Sequence, residues 1–147
     1  MSRALAVLLA AGAGGFVGLQ APVNARLGRQ VGSLQAATVS FLVGTIALIL
    51  LASLSSGGLS GIGNVSKAPW WALIGGLLGA FYVTVALLTV RTLGVSGLTA
   101  IVVAGQLASA AVVDRFGLLG IPRQHLGAPR IAGLVLLLAG VVLVVRK

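Results

Sequence analysis

Cysteine and acidic residues are almost missing from this chain. It has no cysteine, one acidic residue, Asp114, and a single histidine, His125. Without cysteine there is no disulfide, no thiolate metal ligand and no thiol nucleophile. One histidine and one aspartate are also too few for a metal site, which needs three or four protein ligands. We therefore expect no catalytic residues, no metal and no cofactor, and an enzyme is the least favoured class of function.

Charge of either sign is scarce as well. Only 7% of the 147 residues are charged, 59% are hydrophobic, and the mean hydropathy is +1.16. A soluble domain usually has about 25% charged residues, so most of this surface should face lipid. The net charge of +9 comes from basic residues scattered between apolar runs. Such a pattern is typical of membrane surfaces, so membrane lipid is the expected anionic partner and nucleic acid is not expected.

Long apolar runs are what the chain has in place of charge. A transmembrane helix needs about 20 apolar residues, and the segments are continuous where a β-barrel strand would alternate. The first run resembles a secretory signal peptide, but it continues past the length of a signal core, so we expect no cleavage. We predict one all-α membrane domain over residues 1–147 with five spans, at about 4–24, 34–54, 70–90, 95–113 and 129–145.

Five is an odd number, so the two termini should lie on opposite sides of the membrane. Lys and Arg in short loops normally set the orientation. Here the two sides carry equal numbers, which favours insertion in both orientations and an antiparallel homodimer. The alternative is that one loop dominates and fixes a single orientation. The residues are Arg3, Lys67, Arg115, Arg123 and Arg130 on one side, and Arg26, Arg29, Arg91, Arg146 and Lys147 on the other.

Glycine is abundant, with 22 residues, and several lie four residues apart inside the spans. Small residues let transmembrane helices approach closely, and this packing is their usual role. The predicted packing positions are Gly14, Gly18, Gly75, Gly79 and Gly105.

Polar side chains inside the spans are rarer. Gln20 and Asn24 lie about 40° apart on one face of span one, with Pro22 between them, and span four gathers Thr99 and Gln106 on one face. Unpaired polar groups are costly in lipid, so these should face protein or water. They either line a solute cavity or form interhelical hydrogen bonds. The cavity candidates are Gln20, Asn24, Thr38, Thr99, Gln106, Trp70, Trp71 and Tyr82.

No carboxylate lies in the middle of a span. Asp114, at the end of span four beside Arg115, is the only candidate for coupling transport to an ion, and the alternative is a salt bridge or loop cap at headgroup level. The lack of a central acid disfavours lipophilic divalent cations as substrates. Neutral, zwitterionic or anionic solutes fit the amides and the basic rims better.

Four blocks together resemble a known family: GGFVGLQAPVNARLG (14–28), PWW with GGLLGAFYV (69–71, 75–83), AGQLASAAVVDRFGL (104–118) and RIAGLVLLLAGVVLV (130–144). They are similar to the YdcZ-type family of the drug/metabolite transporter superfamily. Gln20, Asn24, Gln106 and Asp114 occupy motif positions of that family.

The resemblance implies a five-helix, all-α protein of the bacterial inner membrane that forms half of a ten-helix, inverted-repeat transporter. Its partner would be a second copy or a paralogous five-span half. A small-molecule solute would be exported by alternating access through a cavity between the halves. The rival hypothesis is a non-transporting structural or assembly subunit of a membrane complex, whose glycines only pack.

Overall fold

The computed structural model describes residues 1–146, so Lys147, counted above among the basic residues, lies outside the described part. Four α-helices follow one another along the chain, and no strand occurs within residues 1–146. Their bounds are α1 Arg3–Val31, α2 Ser33–Leu54, α3 Gly75–Phe116 and α4 Ala128–Val145. Short 3-10 helices occupy Ser60–Lys67, Trp70–Ile74 and Leu118–Gly120.

The length and apolarity of the helices confirm an all-α membrane protein. Each of the four is long and apolar enough to cross a bilayer, and the third such segment runs from Trp70 to Phe116. The predicted spans 34–54 and 129–145 match α2 and α4 to within one residue. Pro69 immediately precedes the 3-10 turn Trp70–Ile74 that leads into α3.

Helix α1 is longer than the sequence predicted. It begins at a cap in which Ser2 Oγ accepts a hydrogen bond from the N–H of Leu5, and its 29 residues cover about 43 Å. The helix continues seven residues beyond the predicted membrane span, which ends at residue 24, and Pro22 lies inside the helix. The helix stops only at Gly32, whose φ of 94° lies in the region that favours glycine.

Helix α3 contains the break that separates two predicted spans. Its 42 residues would cover about 63 Å, roughly twice the hydrocarbon thickness of a membrane. Gly94 has φ 71° and ψ 167°, which is not helical, and it lies in the predicted Arg91–Gly94 connection. The position of the link is therefore as expected. That the two segments cross the membrane as separate spans stays a prediction.

Contacts divide the chain into two compact units at Arg91 and Thr92, and each is described by itself. We call residues 75–91 the first arm of α3 and residues 92–116 its second arm. In the first unit, α1, α2 and the first arm meet around Ala36, Ala37, Val83 and Leu87. In the second unit, α4 follows the second arm. That all 147 residues form a single membrane domain stays a prediction.

Gly28 lies where α1 contacts both neighbouring helices of the first unit. A Cβ at this buried position would lie at ordinary van der Waals distance, 3.6–3.7 Å, from Ser33 Cα, Ala36 Cβ and Leu87 Cδ2. Gly28 was not among the predicted packing positions. Its spacing of four residues from Gly32 is the signal that could have found it.

Candidate functional site

A polar recess lies between α1 and the first arm of α3. Gln20 and Asn24 reach it from α1, and Tyr82 reaches it from α3. The recess has about 10 Å³ of room for water, which is close to the least that one water molecule requires. It is too small for a solute in this conformation. Its remaining walls are apolar: Ala21, Val83, Ala86 and Leu87.

Asn24 is the most buried polar side chain of the described residues, with 6% of its surface exposed. Its Nδ2 donates a hydrogen bond of 3.1 Å to Ser40 Oγ on α2. Gln20 and Tyr82 are half-buried. No buried side-chain nitrogen or oxygen within residues 1–146 lacks a hydrogen-bond partner, so any open donor or acceptor of these two side chains lies on accessible surface. The recess can therefore offer hydrogen bonds to a guest.

Pro22 lies two residues, about half a turn, from each of the two amides of α1. Because proline has no N–H, the carbonyl of Gly18 loses its usual donor in the helix. Gly18 and Pro22 lie on the face of α1 opposite the two amides, so this free acceptor lies outside the recess. The local sequence thus places several hydrogen-bond donors and acceptors within an apolar helix.

A second concavity, which we call the threonine groove, lies between α2 and the first arm of α3. It has a volume of about 320 Å³. Thr38 Oγ1 donates to the carbonyl of Leu34 at 3.0 Å, and Thr84 Oγ1 donates to that of Ala80 at 2.8 Å. With these hydroxyl protons used inside their own helices, the groove is chiefly apolar. It is lined by Leu34, Ala37, Thr38, Phe41, Leu42, Thr45, Ala80 and Thr84.

The predicted cavity residues of the first unit therefore separate into two places. Gln20, Asn24 and Tyr82 come together in the recess, whereas Thr38 lines the threonine groove. Trp70 and Trp71 lie in the 3-10 turn before α3, with 76% and 41% of their surface exposed. Such exposure at the start of a span fits an interfacial anchor better than a cavity wall.

The second unit holds the remaining cavity candidates. Thr99 Oγ1 donates to the carbonyl of Val95 at 2.8 Å, so its hydroxyl proton is used within the helix. Gln106 is exposed on the second arm of α3. Because an amide is costly in hydrocarbon, Gln106 needs water or another protein surface as a neighbour.

Asp114 joins the end of α3 to the start of α4. Its carboxylate accepts a hydrogen bond from Arg130 Nη2 and forms an ion pair with it, while Arg130 Nη1 donates to Gln124 Oε1 at 3.3 Å. The N–H of Gln124 donates to the backbone carbonyl of Asp114 at 2.8 Å. The geometry gives Asp114 the role of a loop anchor, with Arg130 rather than its neighbour Arg115 as the partner. A coupling role for Asp114 stays a prediction.

The comparisons with known proteins agree with this architecture. A family model described as "Putative inner membrane exporter, YdcZ" matches residues 5–143. The chain belongs to the YdcZ family. It is also similar to the inner membrane protein YdcZ of Escherichia coli (strain K12), with 34% identity over 148 residues, 99% of this chain and 97% of that protein. No solved structure matches the chain.

Membership of the YdcZ family gives the chain a transporter role and a multi-pass location in the inner membrane. The family is one of membrane exporters and is not an enzyme family. The family resemblance read from the four sequence blocks is thereby confirmed. Both amides at the wall of the recess, Gln20 and Asn24, belong to the first of those blocks.

The glycines of this YdcZ-family member differ in what surrounds them. A Cβ at Gly79 would lie 3.4 Å from the ring of Phe41, so this glycine lies against α2 in the first unit. The other four predicted packing glycines have no such neighbour within 4 Å in the described chain, and their packing against another chain stays a prediction. They are Gly14, Gly18, Gly75 and Gly105.

Ser40 is the functional-site residue that sequence reasoning missed. It lies in the middle of α2, where a serine among apolar residues was a signal in itself. The apolar span also contains Ser53, which donates to the carbonyl of Ile49 at 2.8 Å. Only the packing of α1 on α2 distinguishes the serine that pairs with Asn24.

Proposed function

We propose that this protein is one half of an alternating-access exporter of a small solute, completed by an inverted second copy. The polar recess carries the proposal. A chain with one acidic residue and five apolar spans keeps two amides and a phenol together inside its first unit. Ionisable and polar groups at membrane depth are costly, so their grouping favours a role in a solute path.

The small size of the recess suits an occluded step of such a cycle. About 10 Å³ holds one water molecule, so the solute can enter only after α1 and the first arm of α3 move apart. Pro22 weakens the hydrogen bonding of α1 at this level and makes a bend there less costly. In the proposed cycle, opening exposes Gln20, Asn24 and Tyr82 to one side of the membrane at a time.

The chemistry of the first unit indicates which solutes fit. Residues 1–91 contain no acidic side chain and five basic ones, and the recess itself carries no charge. Amides and a phenol donate and accept hydrogen bonds with neutral, zwitterionic or anionic groups. An organic cation would enter a positive unit with no carboxylate to meet it. We therefore expect a hydrogen-bonding solute without net positive charge.

One observation and two sequence predictions support an inverted second copy. Gln106 is exposed within the second unit, the predicted number of spans is odd, and the predicted loops divide the basic residues equally between the two sides. A second copy that contacts the second arm of α3 would give this amide a partner. In an inverted pair the two orientations differ, which equal charges on the two sides permit.

One contact favours the rival function, a non-transporting membrane subunit. The Asn24–Ser40 hydrogen bond joins α1 to α2 inside the first unit. Bonds of this kind hold transmembrane helices together in proteins of many functions, at about 0.6 kcal/mol each. If all the recess groups act in this way, the recess is a packing device.

The test is a thermal-shift screen of the purified protein against four probe classes: neutral sugars, zwitterionic amino acids, small carboxylate or phosphate anions, and quaternary ammonium cations. A ligand that binds only the folded protein raises the midpoint of unfolding. We expect a shift from one of the first three classes, largely lost in Gln20→Ala and Tyr82→Phe. Thr38→Ala, which removes a hydroxyl from the threonine groove, is the matched control and should keep the shift.

Flux of the selected solute into proteoliposomes then separates the two functions. A folded, dimeric Gln20→Ala protein without flux supports transport. Shifts from quaternary ammonium cations alone, or equal losses in Thr38→Ala, would contradict the solute class and the site. A Gln20→Ala protein that loses its dimer, in a chain for which no probe ever gives flux, supports the structural subunit.

A further inference from the structure

The loop between α3 and α4 folds back onto the end of α3. Arg123 Nε donates to the carbonyl of Phe116 at 3.2 Å, and the Asp114–Arg130 ion pair fixes the far end of the loop. The stem of Arg123 passes over Gly117, where a Cβ would collide with it. The loop is therefore held by specific contacts at both ends, and Arg123 is fixed beside the last turn of α3.

Positive charge in this loop exceeds what the chain can neutralise. Asp114 is the only acidic side chain of the protein, and Arg130 occupies it. Arg115 and Arg123 are both exposed and have no carboxylate side chain left to pair with. A guanidinium has five donors in a planar fork that suits phosphate oxygens, and Arg123 uses one of them on Phe116.

The tip of the same loop exposes large apolar side chains. Phe116 and Leu119 have 59% and 65% of their surface exposed, and Leu118 and Ile121 are exposed as well. Leu119 has φ 56°, a left-handed conformation that is unfavourable for a residue with a side chain. The chain thus holds an exposed leucine at the tip in a strained conformation next to unpaired arginines. Strain of this kind is a reason to look for a function.

We propose that residues 115–126 form a binding surface for anionic phospholipid headgroups. Arg115 and Arg123 hold the headgroup phosphate, and Leu118 and Leu119 insert between the headgroups at the acyl boundary. The loop connects two membrane-spanning helices, so its tip lies at the depth where such an arrangement of arginine and leucine is favourable. The surface should bind acidic lipid, because Arg115 and Arg123 are positively charged and a zwitterionic headgroup has no net charge to neutralise them.

The first experiment uses the full chain, purified and delipidated in mild detergent. Phosphatidylglycerol should raise the midpoint of thermal unfolding more than an equal amount of phosphatidylcholine. In the double variant Arg115→Gln/Arg123→Gln the apparent affinity for phosphatidylglycerol should fall about 30-fold, because the binding free energies of two basic residues at an anionic surface add. The matched control Arg26→Gln/Arg29→Gln removes the same charge elsewhere and should keep most of the affinity.

Three results of this experiment would overturn the proposal. Equal shifts from both lipids would show that no acidic headgroup is recognised. An equal shift from inorganic phosphate would assign the arginines to a soluble anion. An equal loss in the Arg26→Gln/Arg29→Gln control would show a general effect of net charge.

The second experiment tests insertion of the tip and does not depend on charge. Because the chain has no cysteine, Leu119→Cys and His125→Cys each provide a single site for a spin label. In vesicles that contain phosphatidylglycerol, the label at 119 should be more accessible to oxygen than to a water-soluble nickel reagent. The label at 125 should show the reverse. A water-exposed label at 119 would contradict insertion even if the arginines bind the lipid.

Discussion

The two units of the chain place their polar side chains in different surroundings. In the first unit, Asn24 is buried and bonded to Ser40, and Gln20 and Tyr82 border the same small recess. In the second unit, Gln106 is exposed on a helix of similar apolarity. An amide exposed on a membrane-spanning helix needs a neighbour from outside its unit. Asn24 therefore has its hydrogen-bond partner within the first unit, whereas Gln106 needs one from outside the second unit.

The largest effect is expected in the core of the first unit. Leu87→Ala removes a side chain that is 2% exposed and packs against α1 and α2. We expect a loss of about 2 kcal/mol, at the low end of the usual range because lipid also solvates leucine and mainly packing is lost. Unfolding by sodium dodecyl sulfate measures it. Leu88→Ala, on the neighbouring residue that is 62% exposed, should cost far less. Equal losses would contradict a packed core at Leu87.

The joint between α1 and α2 should be nearly as sensitive. Gly32→Ala places a side chain at φ 94°, where it meets the Gln35 side chain, and should cost about 1–2 kcal/mol. Gly94→Ala, at φ 71° with no atom within 4 Å of the new Cβ, isolates the backbone cost. The same unfolding assay compares them. A Gly32 variant as stable as the wild type would mean that the joint relaxes freely.

For Gln106→Leu, the direction of the effect on dimerisation distinguishes contact with a second copy from contact with lipid. If a second copy meets the amide, leucine removes a hydrogen bond of about 0.6–1.7 kcal/mol and weakens dimerisation roughly 3- to 16-fold. Energy transfer between labelled copies in liposomes, diluted with lipid, measures this dissociation. If Gln106 faced lipid, leucine would leave the dimer unchanged or stabilise the protein, and the proposed interface would be wrong.

The smallest effect concerns the interhelical hydrogen bond. In a double-mutant cycle with Asn24→Ala and Ser40→Ala, we expect a coupling free energy of about 0.6 kcal/mol. The cycle with Ser53→Ala in place of Ser40→Ala is the control, because Ser53 bonds within its own helix. Zero coupling for the first pair would remove Asn24 from the packing of α1 on α2.

Much of the fold could be predicted from length and apolarity, because a membrane fixes the length of each helix. Two spans were placed to within one residue, and Gly94 lies in the predicted link. Helix α1 continues beyond the predicted span to Val31, because apolarity marks the hydrocarbon boundary and not the end of a helix.

The site was predictable only in part. Periodicity placed Gln20 and Asn24 on one face of α1, and they do share the recess. Periodicity could not place Thr38 relative to them, because the sequence of one helix does not determine how α2 is rotated against α1. The pairing of Asp114 with Arg130 was missed for a similar reason: it depends on how the loop folds back past Gly117.

The most direct test of the central claim, an inverted pair of identical chains, is labelling of a single cysteine. Ser60→Cys introduces the only thiol of the protein, in the exposed segment between α2 and α3. A membrane-impermeant maleimide is added to intact spheroplasts, and a permeant one then labels the remainder. The inverted dimer predicts roughly equal labelling by the two reagents, with one thiol of each kind in every cross-linked dimer. Labelling of all thiols by one reagent alone would contradict it.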